Sequence, residues 1–228
     1  MTIRPVRLFG DPVLTSAADP VTDFDKALRT LVKDLTETLR DQRGSGLAAP
    51  QIGVPLRVFV FDVDGVRGHL VNPALEFPSD EDQFGPEGCL SIPGLHYDTR
   101  RRRHAVGHGV DQHGRPAQVV GTDEVARCLQ HETDHLDGVL FLDRLDPVTR
   151  RGAMRDIRDA NWAAGPGQGQ PAPDPGPAAL NAPSRRIGTV SLAPISTATA
   201  TSSAKPMAAS SRPEALSMMA CRGSAVAR

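Results

Sequence analysis

Two histidines four residues apart with a glutamate beside the first, His131-Glu132-Thr133-Asp134-His135, are the side chains best suited to do chemistry in this chain. On a helix four residues turn by about 400°. The two imidazoles then point within about 40° of each other, separated by roughly 6 Å of rise, close enough to bind one metal ion. Glu132 is poorly placed as a third ligand, but it can reach water beside such an ion and take its proton. A mononuclear catalytic site wants three protein ligands, and the candidates for the third are Cys128, Cys89 and a carboxylate. Cys128 shares the helix face but lies about 10 Å along the axis from His135, too far to converge with both histidines, and reads as a small buried apolar residue. Asp137 stands at the helix end, and Asp143 and Asp146 read as cap and loop residues. Cys89, within Pro86-Glu87-Gly88-Cys89-Leu90-Ser91, is bracketed by glycine and proline and can bring a thiolate to the helix from a separate strand.

The elements that must position these groups can be read from periodicity. Thr122 as a cap, acids at Asp123 and Glu124, and Gly138 as a stop predict a helix over Asp123 to Asp137 that carries both histidines. A second helix is expected from about Asp23 to Gln42, capped by Thr22, because Phe24, Leu28, Leu31, Val32, Leu35 and Leu39 recur at spacings of three and four. Gly44 to Gly53 reads as loop or extended chain. Two hairpins are expected, one turning at Asp64-Gly65 and one at His113-Gly114. VLFLD at 139–143 reads as a short strand, and a last helix starts at Asp146-Pro147 and ends near Trp162. Strands and helices do not alternate regularly, so the fold class is α+β.

Three separated segments, Gly44-Ser45-Gly46-Leu47-Ala48-Ala49-Pro50-Gln51, Glu87-Gly88-Cys89-Leu90-Ser91 and Gln130-His131-Glu132-Thr133-Asp134-His135, occur in that order. Together they make the chain resemble bacterial peptide deformylase from about Arg4 to Trp162. The resemblance implies β-sheets packed around a central helix bearing the HExxH motif, and hydrolysis of the N-formyl group from the N-terminal formylmethionine of newly synthesised polypeptides, with release of formate. It implies that Cys89, His131 and His135 hold one divalent metal, iron(II) by family habit and zinc by the softness of the ligand set. Glu132 would be the general base and then the acid, with Gln51 and the Leu90 N–H assisting the oxyanion. Gly44, Gly46, Leu47, Gly88, Cys128 and Leu129 would border the substrate. A zincin-type metallopeptidase, the alternative that HExxH alone would support, leaves the other two segments unexplained. A non-catalytic metal-binding or ribosome-binding relative would need a damaged set, and no motif residue is missing.

Composition bounds the rest. From Gly165 to Arg228, 36 of 64 residues are Ala, Ser, Thr or Pro and 8 are charged. Such a stretch offers too little large apolar surface to offset the entropy of ordering it. The expected division is a catalytic domain over 1–164 and a low-complexity, disordered tail over 165–228. The tail carries +4, so with −1 for the whole chain the body carries −5, which argues against general nucleic-acid binding. Neither a membrane-spanning stretch nor an apolar N-terminal signal is visible, and with three scattered cysteines a reduced, cytoplasmic setting is expected. His104 and His108 fall in an extended pattern, span about 13 Å and form no site. Arg100 to Arg103 reads as a solvated loop between strands. Arg151, Arg155 and Arg158 make one basic stripe on the last helix, which the resemblance suggests as a ribosome contact.

Overall fold

A computed structural model of the chain describes residues 2–160 and 162. The expected tail, 165–228, lies outside these residues. Among the described residues seven strands and three α-helices follow in the order α1 (Lys26–Gln42), β1 (Gly46–Ala48), β2 (Val58–Val63), β3 (Val66–Glu76), β4 (Asp82–Cys89), β5 (Ile92–Arg102), β6 (His104–Val110), β7 (Pro116–Thr122), α2 (Asp123–Leu136) and α3 (Pro147–Asp159). Strands β1-β2-β3-β6-β7 form one antiparallel sheet, and β4 and β5 form a separate two-stranded ribbon. The class is α+β, as expected from the irregular order of elements.

Both hairpins form where the turn residues place them. Asp64 and Gly65 both have positive φ, so the right-handed twist of β2 and β3 continues through a two-residue turn. The His113-Gly114 turn closes β6 onto β7, with Asp111 accepting from the His113 and Arg115 N–H groups.

Helix α1 starts later than periodicity suggests. Its cap is Asp25, whose side chain accepts from Ala27 N and Leu28 N, and not Thr22. The cause is tertiary: Asn72, at a bulge in β3, hydrogen-bonds both the N–H and the C=O of Val21, holding that segment outside the helix. The α1 stripe of Leu28, Val32, Leu35 and Leu39 packs with Leu47, Val58 and Val60. Each such side chain, fully buried, contributes roughly 1.5 to 3 kcal/mol.

Helix α2 is buried on every side, with all residues from Val125 to Leu136 shielded. Its Val125, Ala126, Cys128, Leu129 and Leu136 pack with Phe59, Phe61, Leu70 and Val119 of the large sheet. Thr122 occupies the cap position but makes no side-chain cap hydrogen bond.

Two further expectations need correction. The segment read as a strand at 139–143 forms a single 3-10 turn, Phe141–Arg144, because Leu140 N–H bonds to Asp143 while Phe141, Leu142 and Leu145 bury with Ile92, Ala153 and Ile157. The arginine run is not a solvated loop. Arg100 to Arg102 belong to β5, where alternation sends Arg101 inward, 5% exposed, while Arg100 lies exposed against Asp82.

Candidate metal centre and active site

The three motif segments meet at α2. Cys89 arrives at the end of β4, and Ser45 to Gln51 crosses the helix as β1 followed by a 3-10 turn over Ala49–Ile52. Ligand atoms of Cys89, His131 and His135 lie within 4.8 Å of one another, with Cys89 Sγ 3.2 Å from His135 Nε2. A tetrahedral ion at ordinary Zn–S and Zn–N distances needs separations of about 3.5 Å, so the set fits a single ion after small side-chain adjustment. The donor types agree, one soft thiolate and two imidazoles.

His131 Nδ1–H donates to Glu87 Oε1 at 2.7 Å. A carboxylate only accepts, so this contact places a proton on Nδ1 and makes Nε2 the atom that would ligate a cation. Burial alone would push the Glu87 carboxyl up, yet hydrogen bonds from Arg101 and His131 hold it well below the ordinary carboxylate range. Burial would lower His131; the thiol of Cys89 and the carboxylate of Glu87 instead raise it well above the usual histidine value. His135 is pushed well below that value by burial, and its Nδ1 has no hydrogen-bond partner.

Glu132 is 2% exposed and burial raises its pKa to about 7. Its Oε2 is buried and has no hydrogen-bond partner. Gly46 makes room for it: a Cβ there would stand 2.2 Å from Glu132 Oε1 and 2.8 Å from Cys128 Sγ. The Gln51 amide is oriented by Ala48 N–H, which donates to its Oε1 at 2.8 Å. Nε2 then faces Ser91 Oγ at 3.2 Å and Cys89 Sγ at 3.5 Å. Leu90 lies in the tight link between β4 and β5, next to the thiol.

The remaining anticipated residues are spread more widely. Gly44 precedes β1, close to Leu39 and Leu90, and Gly88 is packed against the ring of His96. Cys128 is buried, burial pushes its thiol well up, and its Sγ touches Ser45 O at 3.5 Å. Leu47 and Leu129 have no accessible surface and belong to two different core clusters. His104 and His108 pair with the surface acids Glu81 and Glu76.

Sequence reasoning missed the support beneath the motifs. Arg101, Arg127 and Asp134 are all buried; Arg101 and Arg127 donate to Glu87, and Arg101 also donates to Asp134. The available signal was the strand period within the arginine run, which turns Arg101 to the face opposite Arg100, and the two motif acids that had no assigned partner.

Residues 3–151 match the family profile described as polypeptide deformylase. A peptide deformylase from Acidothermus cellulolyticus is 64% identical over 163 residues, 72% of this chain and 90% of that protein. The crystal structure of a peptide deformylase from Legionella pneumophila matches with a TM-score of 0.65 at 40% identity, covering 69% of this chain and 95% of that one. A peptide deformylase from Ehrlichia chaffeensis, solved in complex with actinonin, gives a TM-score of 0.65 at 32% identity, covering 70% and 98%. With its three motif segments gathered on one buried helix and these relatives spanned almost end to end, the chain belongs to the polypeptide deformylase family.

Proposed function

We propose that this chain hydrolyses the formyl amide at the N-terminus of nascent polypeptides, releasing formate, and that residues 1–164 are its catalytic domain. The observation that carries the reading is the convergence of the Cys89, His131 and His135 ligand atoms within 4.8 Å of one another, with the Gln51 amide 3.5 Å from the Cys89 thiol and Glu132 next to His131 on α2. In this reading Cys89, His131 and His135 hold one divalent ion, iron(II) or zinc. Such an ion supplies positive charge that polarises a carbonyl and acidifies water in contact with it.

The chain's own groups perform the rest. Water oxygen bonds to the formyl carbon, the C–N bond breaks, and the proton lost by water must reach the departing amine. Glu132 accepts that proton at its unpartnered oxygen and returns it to the nitrogen. Gln51 Nε2, held by the Ala48 contact, and the Leu90 N–H donate to the developing oxyanion. A donor of this kind is worth about 3 to 4 kcal/mol in other enzymes. Gly44, Gly46 and Gly88 border the peptide backbone, while Cys128 lines the apolar side for the methionine, backed by Leu47 and Leu129.

The test pairs two substrates. Protein purified anaerobically, with its metal content measured, is given formyl-Met-Ala-Ser and the unformylated peptide. The reading requires formate from the first and no peptide-bond cleavage of the second; the reverse outcome is that of a zincin-type peptidase.

A second contact is proposed at α3, where Arg151, Arg155 and Arg158 are all exposed opposite the buried Ala153 and Ile157. We assign this stripe to ribosomal RNA. Charge reversal of all three arginines should weaken co-sedimentation with ribosomes at low salt, and unchanged co-sedimentation removes the assignment. Among the described residues no helix is long and apolar enough to cross a membrane.

A further inference from the structure

The thiol and the two imidazoles of the proposed metal set stand on different parts of the molecule. His131 and His135 belong to α2, which is packed into the large sheet, whereas Cys89 ends β4 in a two-stranded ribbon. A lone two-stranded ribbon is at best marginally stable, so its placement depends on what fastens it. Convergence of the set within 4.8 Å therefore requires a clamp between ribbon and helix.

Arg101 supplies one. Its Nε and Nη2 form a two-point fork on Glu87, at 2.9 and 2.6 Å, and Nη1 reaches Asp134 at 2.6 Å. Glu87 lies two residues before Cys89 on β4 and accepts from His131 Nδ1; Asp134 lies next to His135 on α2. One guanidinium thus joins the acid that orients the first histidine to the acid beside the second, with a side chain 4% exposed. The neighbouring Gln130 adds a backbone fastening, exchanging hydrogen bonds with the N–H and C=O of Arg102. Buried ion pairs of this type contribute little net stability, since desolvation offsets most of the attraction, and their best-attested use is to specify one arrangement over others.

We propose that Arg101 is a positioning residue that sets the spacing between the Cys89 thiol and the His131–His135 pair and so determines how tightly the site holds its metal. The proposal rests on the metal reading of that set. Lysine cannot replace the arginine here, because one ammonium group lacks the planar fork that engages Glu87 at two points while reaching Asp134.

The experiment measures cobalt(II) affinity by chelator competition and records the thiolate-to-cobalt absorption in wild type, Arg101→Lys and Asp134→Asn. Outer contacts of this sort typically change metal affinity by about 10- to 100-fold. Arg101→Lys is expected to weaken cobalt binding by that factor, to alter the absorption per bound ion, and to lower kcat with KM unchanged. Asp134→Asn, which keeps the shape and one acceptor, should move all three in the same direction by less, and it decides the matter if Arg101→Lys does not fold. A variant that melts earlier yet keeps wild-type cobalt affinity and spectrum overturns the proposal and reduces Arg101 to a structural ion pair. Wild-type protein that takes up no cobalt overturns the metal reading and the proposal with it, so the two failures are distinguishable.

Discussion

Gly46→Ala asks for the smallest change that the site geometry forbids. The added methyl would stand 2.2 Å from Glu132 Oε1, 2.7 Å from its carboxyl carbon and 2.8 Å from Cys128 Sγ. Ordinary contact begins at about 3.5 Å, so the carboxylate must retreat by roughly 1.3 Å or the β1 backbone must move. The carboxylate is the end of a flexible side chain and gives way more readily than a strand paired with β2 at Gly46 and Phe61. Overpacking of this kind costs about 1 to 3 kcal/mol, or about 2 to 12 °C in Tm for a domain of this size. A displacement near 1 Å in a proton-transfer group costs about 100-fold in rate. The expected result is a fall in kcat of about two orders of magnitude with metal content unchanged and only a moderate fall in Tm. Steady-state formate release, metal analysis and a thermal melt read the three quantities. A variant with kcat within twofold of wild type would refute the placement of Glu132 as the proton carrier.

Three other outcomes are expected. Gln51→Ala should lower kcat by about 10²- to 10³-fold in the formate assay, and the buried Ala48 N–H left without its acceptor should cost about 1 to 3 kcal/mol in denaturant unfolding. Cys89→Ala should lose its metal on dialysis, whereas Glu132→Ala should retain metal and lose turnover; the same metal loss in both variants would mean that Glu132 is structural. Asp111 is pushed up by burial, but hydrogen bonds from Arg115 and from the Arg115 and His113 N–H groups outweigh this and lower its pKa. A depressed folded value stabilises above the unfolded value, about 3.9, and that stabilisation is lost as pH falls through the folded one. The Tm gap between wild type and Asp111→Asn should therefore be full at pH 7 and shrink below about pH 4; a gap independent of pH contradicts it.

The chemistry was more legible in the sequence than its support. Helical spacing places His131, Glu132 and His135 on one stretch of α2, and turn chemistry locates Asp64-Gly65 and His113-Gly114, because both depend on local backbone rules. The start of α1 depends on Asn72, a contact 51 residues away, and no local signal at Thr22 reports it. The 139–143 segment is apolar enough for a strand, but it pairs with no strand among the described residues and buries its side chains through a 3-10 turn instead. Arg101 was hidden by its neighbours: four successive arginines look solvated, while in β5 Arg100 pairs with Asp82 on the surface and Arg101 turns to Glu87 in the interior. Composition bears on 165–228, but the described residues do not reach that segment.

The decisive measurement is formate release from formyl-Met-Ala-Ser by the metal-loaded protein beside Glu132→Ala loaded with the same ion. Wild type should yield stoichiometric formate and free Met-Ala-Ser, and the variant should lose nearly all turnover at unchanged metal content. No formate from the metal-loaded wild type, or equal rates in the two proteins, would contradict the proposed function.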